Sequence, residues 1–86
     1  MKHEILLEVI RESITSFTSL KREQIQLDSN MSGDLALDSA ERLELVLDME
    51  SRLGISIPTE DYSWCKTIED VITLINQIQK VEEVKI

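Results

Sequence analysis

An all-α bundle of three long helices and one short helix, joined by a long first loop, is the fold class this 86-residue sequence predicts. Apolar residues recur every three or four positions in three separate stretches, which is the period of a helix with one buried face. One Pro and two Gly in the whole chain leave few breakers, and 42% hydrophobic residues suffice for a packed interior. Disorder and loop-rich scaffolds are therefore excluded.

The first stripe, Leu6, Val9, Ile10, Ile14, Phe17 and Leu20, predicts a helix from His3 to about Ser19. From Lys21 to Asp38 the period fails, and Asp28-Ser29-Asn30 and Ser32-Gly33 favour turns, because their side chains compete for backbone hydrogen bonds. A connection this long tends to be functional or to carry helical turns of its own. The second helix opens with Ser39 as candidate N-cap and carries Leu45, Val46, Met49 and Leu53 on one stripe, with Leu43 and Leu47 to its side. Gly54 suits the left-handed position that ends it, and Ile55-Ser56-Ile57-Pro58 should be extended, since a residue before proline avoids helical dihedrals. Thr59 is placed to cap a short turn through Tyr62. Thr67 and Asp70 form a capping-box pattern ahead of Ile68, Val71, Ile72, Ile75 and Ile78, and the charged tail Val81 to Ile86 should fray at its end.

Charge narrows the function. The net charge is -8, and residues 28–61 carry nine acids against Arg42 and Arg52, so the middle third holds nearly all of the imbalance. Such a surface repels phosphate backbones and anionic lipid, which argues against nucleic acid and membrane-surface roles. Basic partners are the electrostatic match, although a merely solvated helix has the same composition. No apolar run approaches the roughly 18 residues a span requires, and no signal peptide is visible. The lone Cys65 rules out an internal disulfide and fits a reducing, cytoplasmic setting. The lone His3 lies on another helix from Ser39, so a nucleophile, base and orienter are not assembled by any visible pattern. The chain reads as a substrate of other enzymes rather than as an enzyme, and as a monomer.

The informative stretch is Asp34-Leu35-Ala36-Leu37-Asp38-Ser39-Ala40-Glu41, followed by Leu43-Glu44-Leu45-Val46. It resembles the acyl carrier proteins, in which an Asp-Ser-Leu tripeptide heads the second helix after an Asp-Leu-Gly. Leu53-Gly54-Ile55-Ser56-Ile57-Pro58 and Thr67-Ile68-Glu69-Asp70-Val71 are similar to the segments that end the family's second helix and begin its last. The resemblance spans essentially the whole chain as one carrier domain, residues 1–86. Ala36 stands for the usual Gly, Ala40 for the usual large apolar residue, Cys65 for an apolar residue, and Tyr62 and Trp64 add aromatics, which marks a specialised member.

The resemblance implies an acyl-carrier-like bundle in which Ser39 bears 4'-phosphopantetheine, installed by a phosphopantetheinyl transferase while Asp38 helps hold a transient Mg2+. The arm's thiol then carries an acyl group as a thioester between ligases or synthases of fatty acid, polyketide or related lipid synthesis. A helix start suits the phosphate, worth about 0.3–1 kcal/mol at an exposed site. Residue type alone makes Ser39 a plain cap and Asp38 a solvated carboxylate; the surrounding pattern decides otherwise. Partner contacts are expected at Ala40, Glu41, Leu43, Glu44, Leu47, Asp48, Glu50 and Ile57, through basic patches on the loading enzymes. Ordinary core is the competing reading of Leu43 and Leu47, and exposure decides between them. Cys65 is expected to be a small buried hydrophobe.

Three rivals share the residues. Freestanding aminoacyl or peptidyl carriers show a similar pattern around the serine, although Asp38 favours the acyl class. Asp28 to Leu35 follow the first eight positions of an EF-hand calcium loop, but Ser39 stands where the bidentate Glu belongs. A helical interaction module with no prosthetic group would use the same acidic helix.

Overall fold

The computed structural model describes residues 2–84. Four helices appear among them, α1 (His3–Phe17), α2 (Ser39–Leu53), α3 (Thr59–Tyr62) and α4 (Ile68–Val84), with a 3-10 turn at Arg22–Gln24. The all-α bundle with one short helix is thus observed, and α1 ends two residues before the predicted limit. There Thr18 turns its hydroxyl back to the Ile14 carbonyl at 2.8 Å. The expected fraying at the tail's end falls on residues 85 and 86, outside the described residues.

Each long helix lays its stripe on a common core. Leu6, Ile10 and Ile14 of α1, Leu45, Val46 and Met49 of α2, and Ile68, Val71, Ile72 and Ile75 of α4 are all buried. Full burial of one such side chain contributes about 1.5–3 kcal/mol. Val9, Phe17, Leu20 and Leu53 pack at the margin.

The long connection is far from a surface loop. Ile25, Met31, Leu35 and Leu37 are buried in the same core, spaced irregularly because the backbone there turns rather than coils. Its polar groups are matched to the head of α4. The Ser29 and Leu27 carbonyls accept from the amides of Ile68 and Glu69 at 3.1 and 2.9 Å, and the Met31 amide donates to the Lys66 carbonyl at 2.8 Å. These bonds satisfy donors that a helix start leaves orphaned. Asp70 completes that start, accepting from the amides of Lys66 and Thr67 at 2.9 and 3.1 Å while its own amide donates to the Thr67 hydroxyl. The predicted capping box at Thr67 is therefore present. On the other side Arg11 donates to the Ile25 carbonyl at 2.8 Å and pairs with Glu8, which also binds Arg22. The loop is pinned between α1 and α4, and its far end delivers Asp38 to the start of α2.

Two caps differ from expectation. Asp38, not Ser39, is the N-cap of α2, and Ser39 is the first helical residue. Pro58 occupies the N-cap position of α3, with Thr59 inside the helix. A carboxylate accepts from a helical amide more strongly than a hydroxyl, which explains the first change. The end of α2 follows prediction, with Gly54 left-handed at φ 65°.

Candidate functional site

The start of α2 is a reciprocal capping box. Asp38 Oδ1 accepts from the Glu41 amide at 2.8 Å, and Glu41 Oε1 accepts from the Asp38 amide at 3.1 Å. One turn of helix is locked, and the Ser39 side chain is left out of the lock. Its hydroxyl has no hydrogen-bond partner among the described residues and the residue is exposed. The amides of Ser39 and Ala40 likewise lie at the helix start without acceptors among the described residues, which is the arrangement that favours an anion. The result is an exposed hydroxyl on a rigid mount at the head of an acidic helix.

The chain enters this site through a strained residue. Ala36 has φ 52°, inside the left-handed region that L side chains avoid. The strain costs about 1–2 kcal/mol per residue. It also explains physically why glycine suits this position, the first departure noted in the sequence.

Along α2 the candidate contact residues separate. Leu43 and Leu47 are 53% and 52% exposed, which resolves the choice between core and surface in favour of surface. Ala40 and Glu44 are exposed beside them. Glu41 serves the capping box. Asp48 pairs with Arg52 at 2.7 Å, and Arg52 also reaches Glu12 of α1 at 3.4 Å, so this carboxylate clamps helices together. Glu50 accepts from the Ile57 amide at 2.7 Å and fixes the extended segment after α2. Ile57 itself is buried at 6% exposure, so its side chain belongs to the core and not to the surface on which the sequence reading placed it. An extended stretch alternates its side chains, and Ile55 and Ile57 both face inward while Ser56 and Pro58 face out.

In sequence Tyr62 is only an added aromatic near the third helix; the fold gives it a structural role. Its hydroxyl donates to the Arg42 carbonyl at 3.0 Å and ties α3 to α2. Burial, then the neighbouring Cys65, pushes the Tyr62 hydroxyl up to about 12 against the opposing Arg42 charge, so it stays a donor at neutral pH. Burial, followed by the Asp70 and Asp61 carboxylates, pushes the Cys65 thiol up to about 11. Cys65 is buried, as expected, and protonated at neutral pH, which makes it a poor nucleophile. Cys65 also lines an open groove of about 720 Å³ between α3 and α4, with Pro58, Leu74, Ile78 and the strongly exposed Trp64. No residue of α2 contributes to that groove.

The loop that matched an EF-hand is built for other work. Asn30 Oδ1 already accepts from the amides of Ser32 and Gly33, and Asp34 Oδ2 accepts from the Asn30 amide at 2.7 Å. Gly33 is not left-handed, and no cluster of three acidic, histidine or cysteine side chains suited to a metal occurs among the described residues. Asn30 Oδ1 and Asp34 Oδ2 are thus spent on turns.

A small helical bundle that presents a serine at the head of an acidic helix is the architecture of a prosthetic-arm carrier. The phosphopantetheine attachment site family matches residues 8–75. The chain is 28% identical to the acyl carrier protein of Petrotoga mobilis, over 96% of this chain and 98% of that one. It is 32% identical to the acyl carrier protein of Kocuria rhizophila, over 91% and 95%, and 31% identical to that of Campylobacter hominis, over 87% and 95%. The chain belongs to the acyl carrier protein family, whose members are carriers rather than catalysts and whose prosthetic group is 4'-phosphopantetheine. No helix among the described residues is long and apolar enough to cross a membrane.

Proposed function

We propose that this chain is a single carrier domain that bears 4'-phosphopantetheine on Ser39 and delivers an acyl group between enzymes of fatty acid, polyketide or related lipid synthesis. The observation that carries the proposal is the exposed, unpartnered Ser39 hydroxyl on the locked first turn of α2. When bound, the arm supplies a terminal thiol that holds the acyl group as a thioester. Everything else is done by this chain's own surface.

A phosphopantetheinyl transferase joins Ser39 Oγ to the phosphorus of coenzyme A; adenosine bisphosphate leaves, and the serine proton passes to a base of the transferase. Asp38 uses Oδ1 for the cap, and its Oδ2 has no protein donor among the described residues. That second oxygen is free to join a Mg2+ during attachment without unwinding α2. Ala40, Leu43 and Leu47 offer the apolar contact for partners, and the exposed Glu44 carboxylate meets their basic groups. Glu41, Asp48 and Glu50 add negative potential while holding the helix in place. A monomer working in the cytosol agrees with the acidic surface and the single buried thiol.

Intact mass tests the attachment. After incubation with coenzyme A, Mg2+ and a broad-specificity transferase, the wild type gains one arm and Ser39→Ala gains none. An unchanged wild-type mass across several transferases overturns the reading.

A further inference from the structure

We propose that Arg42 binds the phosphodiester of the arm and so sets the direction in which the arm leaves α2; this rests on Ser39 as the attachment point. Arg42 is the only basic residue between Glu23 and Ser51. It stands three residues after Ser39, on the same side of the helix, where neighbouring Cβ atoms are about 5–6 Å apart. Long helical side chains lean back over the preceding turn, which is the direction in which Ser39 lies from Arg42.

Three observations show that its charge is uncommitted. Among the described residues Arg42 forms no ion pair, whereas Arg52, the other base of the middle third, is held by Asp48 and Glu12. Asp38 and Glu41, on the same turn, each commit one carboxylate oxygen to the other's amide. Arg42 Nε is buried and has no acceptor. A buried guanidinium N–H left without a partner is expensive, and a phosphate oxygen within reach would satisfy it.

The chemistry suits one ligand. A phosphodiester carries one negative charge and two free oxygens, and a guanidinium offers a planar fork of donors that matches such an oxyanion. Tyr62 steadies the mount, since its hydroxyl donates to the Arg42 carbonyl at 3.0 Å. The arm is thereby drawn toward the seam between α2 and α3 and away from the Leu43–Leu47 strip, which stays open for partners.

NMR of the protein with and without its arm tests this. The Arg42 Nε–Hε cross-peak should shift when the arm is attached, while that of Arg52 should stay in place. In the loaded chains, the phosphorus resonance of the wild type should be displaced from that of Arg42→Gln, and Arg42→Lys should retain part of the displacement. The Arg42 cross-peak needs no variant, so it reports even where Arg42→Gln is poorly modified. An Arg42 cross-peak that is identical in both forms, with loading verified by mass, overturns the proposal and leaves Ser39 standing. Absence of any mass gain removes the attachment site and this inference with it.

Discussion

Leu45 and Leu47 lie two residues apart on α2, yet one is fully buried and the other is 52% exposed. Leu45 joins Met49 and Val46 in the core, while Leu47 joins Leu43 on the opposite strip. Identical side chains on one helix thus serve two ends. The inner face makes α2 part of the bundle, and the outer face is kept apolar although exposure there adds nothing to folding. A second apolar strip on so small a domain is what the proposed partner contact requires.

Truncation separates the faces most sharply. Leu45→Ala should cost about 3–5 kcal/mol, as expected for a large-to-small change in a packed core, read as a lower urea midpoint at unchanged slope. Leu47→Ala should move stability by no more than about 0.5 kcal/mol. It should instead lower kcat/KM for arm attachment about three- to tenfold, the range for an interface residue whose truncation costs about 1 kcal/mol. Equal stability losses at the two positions would erase the distinction.

The start of α2 serves both faces and is open to smaller tests. Asp38→Ala should cost about 0.5–2 kcal/mol through loss of the cap. Ala36→Gly should raise stability by roughly 0.5–1 kcal/mol, because glycine relieves the left-handed strain and gives back only part of that gain in unfolded-chain entropy. Both are read by chemical denaturation, and a loss on Ala36→Gly would deny that φ 52° is strained.

The smallest effect concerns the loop's anchor on α4. The amides of Lys66 and Thr67 hold the Asp70 carboxyl below the usual carboxylate range. Its folded-state pKa lies under the unfolded value of about 3.9, so its contribution is complete above that pH and fades as pH falls through the folded value. Wild type should lose stability relative to Asp70→Asn only below about pH 4. Parallel pH profiles for the two chains would rule out that role.

The helices were legible because each buries a stripe of regular period. The family was legible too, since the residues around Ser39 form a local pattern. What stayed hidden depended on tertiary geometry. Ile25, Met31, Leu35 and Leu37 enter the core from irregular backbone that no period marks, and Ile57 turns inward on an extended segment whose amide Glu50 ties down. Asp38 displaced Ser39 as cap because two acids flank one turn, a four-residue capping box from Asp38 to Glu41 that the serine inside it conceals. Tyr62 needed α3 folded against α2 before it could reach the Arg42 carbonyl.

The proposed attachment point is one oxygen atom, and fragmentation mass spectrometry of the modified chain reads it directly. The added mass should localise to Ser39, with Ser32, Ser51, Ser56 and every other hydroxyl unmodified. An arm found on any of those other residues would contradict the central claim.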